Sequence, residues 1–145
     1  MNYRIMTEHD IPVAIQLYMD YYNGHEDGEW TEDTTYKRIH QVWSREDAYC
    51  LVLEENGAML GFAMGYMEQY DDLVAYDLIE IVVAHAHQNK GIGTAFLLEL
   101  ERQVKAAGAS MVQLEAVNDA MHEHYYSKLG YRSARNLVPK FKFLD

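Results

Sequence analysis

Apolar and polar positions alternate with two different periods along this chain, and the change of period marks its elements. "YRIM" reads as a short first strand. In "TEHDIPVAIQLYMDYYNG" the apolar positions Ile11, Ile15, Tyr18 or Met19, and Tyr22 recur at helical spacing. Asp10 is placed to cap this helix, Pro12 suits its first turn and Gly24 suits its end. "HEDGEWTEDTT" is acidic and turn-rich and reads as a loop, after which "TYKRIHQVW" resumes the helical pattern. The period then shortens. "AYCLVLEENGAMLGFAMGYMEQY" reads as two strands joined at the "ENG" turn. "LVAYDLIEIVV" is apolar nearly throughout, as a strand covered on both faces would be.

The second half continues in the same way. "GIGTAFLLELERQVKAAG" carries an apolar stripe of Ile92, Phe96, Leu100, Val104 and Ala107 and stops at Gly108. "SMVQLEAV" reads as a strand and "NDAMHEHYYSKLG" as a capped helix ending at Gly130, with Met121, Tyr125 and Leu129 on a core-facing side. "LVPKFKFL" reads as a final strand, and Pro139 suits an edge position. The order, roughly βααβββαβαβ, predicts an α/β fold with a mixed sheet.

Composition narrows the class. The chain has 145 residues, no repeat and no low-complexity linker, so residues 1–145 read as a single domain. An apolar share of 49% is enough for a core. No apolar run is long enough to span a membrane, and the start lacks the pattern of a secretory signal. Cys50 is the lone cysteine, which fits a reducing cytoplasm and reads as a small buried hydrophobe. A formal charge of −11 argues against nucleic acid as partner. It favours cations, amines among them, or serves solubility alone.

The candidate chemistry centres on "HAHQNKGIGTAF", residues 85–96. A strand, a glycine loop and a helix in succession leave free backbone N–H groups at a helix N-terminus, a ready anion site. Tight strand–helix turns use glycine too. The dinucleotide fingerprint fails because Phe96 stands where its third glycine belongs. The Walker loop fails because Lys90 precedes Gly91 instead of following a glycine.

Gln88-Asn89-Lys90-Gly91-Ile92-Gly93, inside "VVAHAHQNKGIGTAFLLEL", resembles the acyl-CoA motif Q/R-x-x-G-x-G/A of the GNAT superfamily of N-acyltransferases. "YYSKLGY", after the next strand, resembles that family's Y-x-K-x-G-F/Y. The resemblance covers nearly the whole chain. It implies a mixed sheet of about six or seven strands flanked by about four helices, splayed between the strand at 73–83 and the strand at 110–117. It further implies that Gln88, Asn89, Lys90, Gly91, Ile92, Gly93 and Thr94 hold the pyrophosphate of acetyl-CoA. The strand at Ile81, Val82 and Val83 would pair with the pantetheine arm, and the Val83 N–H would face the developing oxyanion. Asn118 or Asp119 would meet the CoA arm, unless Asn118 simply caps its helix. Gln88 departs from the arginine frequent at its position, which shifts anion affinity toward the backbone and Lys90.

Amine acylation by a thioester needs a base, an oxyanion donor and an acid, and no covalent enzyme nucleophile. Glu80 is the one charge in "LIEIVV". It is either a base facing a cleft or a carboxylate with a structural partner. Asp77 is the weaker substitute for it. Tyr126, in the second motif, matches the family tyrosine that protonates the thiolate; otherwise it is a packed aromatic. His85 with His87, and His122 with His124, are spaced i, i+2 and carry no metal pattern, so no metal is expected. The resemblance also implies that the acceptor wall falls on "YMDYYNGHEDGEWTEDTTY", where Tyr22, Glu29 and Trp30, with Asp77, suit a cationic amine, unless this is only a solvated acidic loop. The expectation is a cytoplasmic N-acetyltransferase acting on a small-molecule or peptide amine, as a monomer or homodimer. The alternative is a non-catalytic acyl-CoA sensor of the same fold.

Overall fold

The computed structural model describes residues 1–88 and 90–145, all but Asn89. Their contacts group into two compact units, Met1–Leu114 and Glu115–Asp145. The first unit holds five strands: β1 (Asn2–Ile5), β2 (Ala48–Glu55), β3 (Ala58–Gln69), β4 (Val74–Val83) and β5 (Met111–Leu114). They lie in that order in one mixed sheet. β1 through β4 pair antiparallel, and β5 joins β4 in parallel after a crossover through α3 (Ile92–Ala106). The β2–β3 hairpin turns on Asn56 and Gly57, both with positive φ, the two-residue geometry that suits a twisted ribbon.

Two helices, α1 (Ile11–His25) and α2 (Glu32–Trp43), cover one face of the sheet. Ile11, Ala14, Ile15 and Tyr18 from α1, with Ile39 and Val42 from α2, meet Cys50, Val52, Phe62, Met64 and Val82 of the sheet. α3 buries Phe96, Leu97, Leu100 and Val104, four positions of a helical stripe; of the wider stripe read from sequence, Ala107 is exposed at the helix end. Gly108, in the left-handed region, closes α3: its N–H reaches Lys105 and the Ala109 N–H reaches Val104.

Several sequence expectations need correction. Asp10 does not cap α1 with its side chain. Its carboxylate instead accepts both Nη groups of Arg4 at 2.8 Å and the Thr7 N–H at 2.7 Å. Gly24 does not end α1, which continues to His25 and is broken only where Asp27 takes φ +56°. The acidic loop is shorter than its composition suggests, because Thr31 accepts from Thr34 and starts α2 at Glu32.

The second unit holds α4 (Ala120–Lys128) and an irregular C-terminal segment. Gly130 closes α4, and the Tyr131 N–H bonds to Tyr126 O at 3.0 Å. No residue of α4 is buried: Met121 is 70% exposed and Tyr125 37%. A segment this short does not build a core by itself. The expected final strand at 137–144 does not form. Leu137, Val138, Phe141, Phe143 and Leu144 are exposed in irregular chain. Alternation makes a strand only where a neighbour accepts its N–H and C=O groups, and Pro139 lacks one donor outright. The sheet therefore has five strands among the described residues, fewer than expected.

Candidate active site

The site begins with an irregularity in β4. Met64 pairs with Glu80, but the next residue of β3, Gly65, pairs with Leu78, so Ile79 is an extra residue in β4. Such a bulge bends the strand and re-aims its side chains. Below it Tyr66 faces Asp77; above it Met64 faces Glu80. Met64 and Tyr66 lie on one face of β3, so Asp77 and Glu80 also share a face despite their odd spacing. Tyr76 takes the other face. Its ring crosses the space beside Gly65, where an added Cβ would come within 2.6 Å of it, and its hydroxyl donates to Tyr49 O at 2.6 Å.

Glu80 is buried, 9% exposed. Its Oε2 accepts the Tyr18 hydroxyl at 2.7 Å and its Oε1 the Tyr22 hydroxyl at 3.0 Å. Tyr18 and Tyr22 stand one turn apart on α1, rings 4.5 Å apart, which is why both phenols reach one carboxylate. Burial, together with the Glu80 charge, pushes both phenols well above the ordinary range, so they remain donors. Arg38 of α2 brings Nε to 3.6 Å from Glu80 Oε2. Trp30 packs edge-on to Tyr18 at 5.0 Å, held there by two bonds between its backbone and the Asn23 amide, at 2.8 and 2.9 Å.

The structure thus brings Glu80, Tyr22 and Trp30 together. Glu29 is exposed beside Trp30 in sequence, and Asp20, Glu26, Asp27, Glu32 and Asp33 are exposed as well. Sequence reasoning placed Tyr18 only in a general aromatic wall and did not select Arg38. The i, i+4 spacing of Tyr18 and Tyr22 was a usable signal. Arg38 gave none, because a charge on a half-polar helix reads as solvated.

β4 pairs with β5 only from Ala75 to Leu78, then runs on to Val83. The Ala84 N–H donates to Leu60 O on the β3 side at 2.8 Å. By alternation Val82 also faces β3, while Ile81 and Val83 turn their N–H groups to the opposite edge. The Val83 carbonyl accepts the Gln88 side-chain amide at 3.0 Å. The Gln88 N–H closes a 3-10 turn over His85–His87 by bonding to His85 O at 3.1 Å, so it is already engaged. Lys90 is exposed, and Gly91 sits at the N-cap of α3 with φ +76° and open space where a Cβ would stand. The backbone therefore enters α3 at Ile92, Gly93 and Thr94 through a conformation that favours glycine. Asn89 lies outside the described residues. His85 stacks on His25 at the end of α1, ring centroids 3.8 Å apart.

In the second unit, Asp119 is the N-cap of α4, accepting the His122 N–H at 2.8 Å, and this bond holds its carboxyl below the usual range. Asn118 precedes the cap and is exposed. Tyr126 is half-buried and packs edge-on to Tyr125 and Tyr131; desolvation first, then Tyr125, raises its phenol. Among the described residues no group of three or more His, Cys, Asp or Glu is placed to hold a metal, and no helix is long and apolar enough to cross a membrane.

Residues 12–131 match the model of the Acetyltransferase (GNAT) family. No curated protein sequence matches the chain significantly. Solved structures share the fold at low identity. A possible acetyltransferase from Clostridium difficile 630 is 13% identical with a TM-score of 0.82, over 99% of this chain and 98% of that one. A ribosomal-protein-alanine N-acetyltransferase from Brucella melitensis biovar Abortus 2308 is 18% identical with a TM-score of 0.76, over 99% and 100%. An aminoglycoside acetyltransferase from an uncultured soil metagenomic sample is 19% identical with a TM-score of 0.70, over 99% and 97%.

Proposed function

The chain belongs to the GNAT acetyltransferase family, and from that premise we propose that it is an N-acetyltransferase moving an acetyl group from acetyl-CoA directly to a primary amine. The observation that carries the reading is Glu80, a buried carboxylate set beside the β4 bulge and held by two phenols. Such a group accepts a proton from an ammonium and leaves the amine nucleophilic. The amine nitrogen bonds to the thioester carbonyl carbon, the carbon–sulfur bond breaks, and the thiolate takes a proton. We assign that proton to Tyr126, on its match to the family motif; a raised phenol keeps it protonated at neutral pH. The Val83 N–H is the oxyanion donor in this reading.

Ile81 and Val83 suit the pantetheine arm because their N–H groups face away from β3. The N-terminus of α3, from Gly91 to Thr94, with Lys90, suits a pyrophosphate. Val82 would line the arm, and Asn118 or Asp119 would reach it. The exposed acidic rim around Trp30, with Tyr22, Glu29 and Asp77, favours a cationic acceptor. The named relatives act on a protein alanine and on an aminoglycoside, both bearing amines. In this reading residues 1–145 form one transferase domain working in the cytoplasm, with no metal and no nucleic acid.

The test is thiol release from acetyl-CoA with polyamines, aminoglycosides, amino acids and short peptides. Turnover on some amine is expected, and CoA binding without turnover on any of them would favour a sensor. Gly91→Glu should weaken CoA binding at least tenfold, roughly, because it adds backbone strain and a like charge at the anion site. Tyr126→Phe should lower turnover while leaving CoA affinity unchanged; turnover equal to wild type at every pH would remove Tyr126 from the acid role.

A further inference from the structure

The cluster around Glu80 contains a cation that acetyl transfer itself does not require. Arg38 Nε stands 3.6 Å from Glu80 Oε2, beyond hydrogen-bond length, and is buried without a hydrogen-bond partner. Thr35, one turn earlier on α2, is fully buried, and its hydroxyl is also unpartnered. These are the two buried side-chain nitrogen or oxygen atoms without a hydrogen bond among the described residues, and both belong to α2. Glu80 Oε2, which accepts the Tyr18 hydroxyl, stays 3.6 Å from Arg38 Nε, so Glu80 does not give that nitrogen a hydrogen bond. The Nε itself is buried, while the Arg38 side chain as a whole is 41% exposed. A guanidinium with unused donors selects planar anions, carboxylates above all.

The geometry points to an acceptor that carries a carboxylate beside its amine: a free amino acid with one or two carbons between the two groups. This rests on the acetyltransferase reading and narrows its acceptor class. The amine meets Glu80, and the carboxylate meets the adjacent Arg38. The close approach of the two side chains matches the short distance between the acceptor's own charges. A cationic or aromatic side chain on that amino acid also suits the acidic rim and Trp30. A polyamine would instead set a second positive charge against Arg38, and a peptide N-terminus would offer it an amide.

Matched trios separate these cases: lysine, lysinamide and cadaverine, and tyrosine, tyrosinamide and tyramine, each in the thiol-release assay with acetyl-CoA. Wild type should prefer the free amino acid by about tenfold or more in kcat/KM, with the difference mainly in KM. Arg38→Met should bring the ratio within each trio close to one, and Arg38→Lys should restore part of it. Thermal unfolding of each variant confirms that the fold survives. Equal or better turnover of the amides and amines by wild type, with ratios unmoved by Arg38→Met, overturns the inference and leaves the transferase standing. No thiol release with any member of either trio, or with the wider amine panel, overturns both.

Discussion

Two arginine–carboxylate pairs in this protein look alike in sequence terms and differ in completeness. Arg4 spends its whole donor fork: both Nη groups on Asp10 at 2.8 Å and Nε on Glu54 at 3.1 Å. Asp10 accepts the Thr7 N–H as well, and the Arg4 bonds hold its carboxyl down at about 2. Arg38 and Glu80 approach only to 3.6 Å, and Glu80 is held by phenols instead. The closed pair fastens β1 to the turn before α1. The open pair leaves lone pairs and N–H groups unspent next to a strand edge. A charge pair with all its bonds made contributes to folding; one with bonds unmade is suited to a ligand.

The comparison breaks most visibly at Glu80. Glu80→Gln should lower kcat by about a hundredfold to ten-thousandfold with a small change in melting temperature. Activity within a few-fold of wild type would remove Glu80 from the chemistry. The counterpart is Asp10→Asn, which should leave kcat unchanged and cost about 1–2 kcal/mol of stability at pH 7, allowing for the solvent contact of Arg4. The sign follows from the lowered folded-state pKa. The contribution is complete above the ordinary 3.8 and is lost as pH falls through about 2. Urea unfolding across pH should therefore show wild type and Asp10→Asn converging in acid; a constant gap would contradict the linkage. The smallest effect is expected from Tyr22→Phe. Losing one of the two donors that hold the carboxylate should lower kcat/KM by roughly two- to tenfold. An unchanged kcat/KM would mean that the Tyr22 bond does not hold Glu80 in a working position.

What the sequence revealed depended on whether the signal was local. The partnered burial of Glu80 was legible because a single carboxylate in an apolar strand needs a reason, and the positive φ of Gly91 because tight strand–helix turns use glycine. The hairpin at Asn56-Gly57 and the stop at Gly108 follow from residues that tolerate positive φ. Arg38 was not legible, because its relation to Glu80 spans the end of α2, the β2–β3 hairpin and most of β4. Asp10 was misread as a cap because a nearby arginine competes for the same oxygens. The 137–144 segment has the alternation of a strand and lacks a pairing partner in the sheet, and that requirement is not written in the segment itself.

The extra residue at Ile79 gives β4 two phases. Residues from Val74 to Leu78 and from Glu80 to Val83 obey the same alternation, half a period out of step. Pairing β4 without the bulge, at unchanged length, would run a single phase through the strand and turn the two carboxylates, three residues apart, to opposite faces. It would also carry Tyr76 out of the slot beside Gly65 or Glu80 away from its phenols. The position of the half-step, and not only the identity of its neighbours, is therefore part of what the chain encodes.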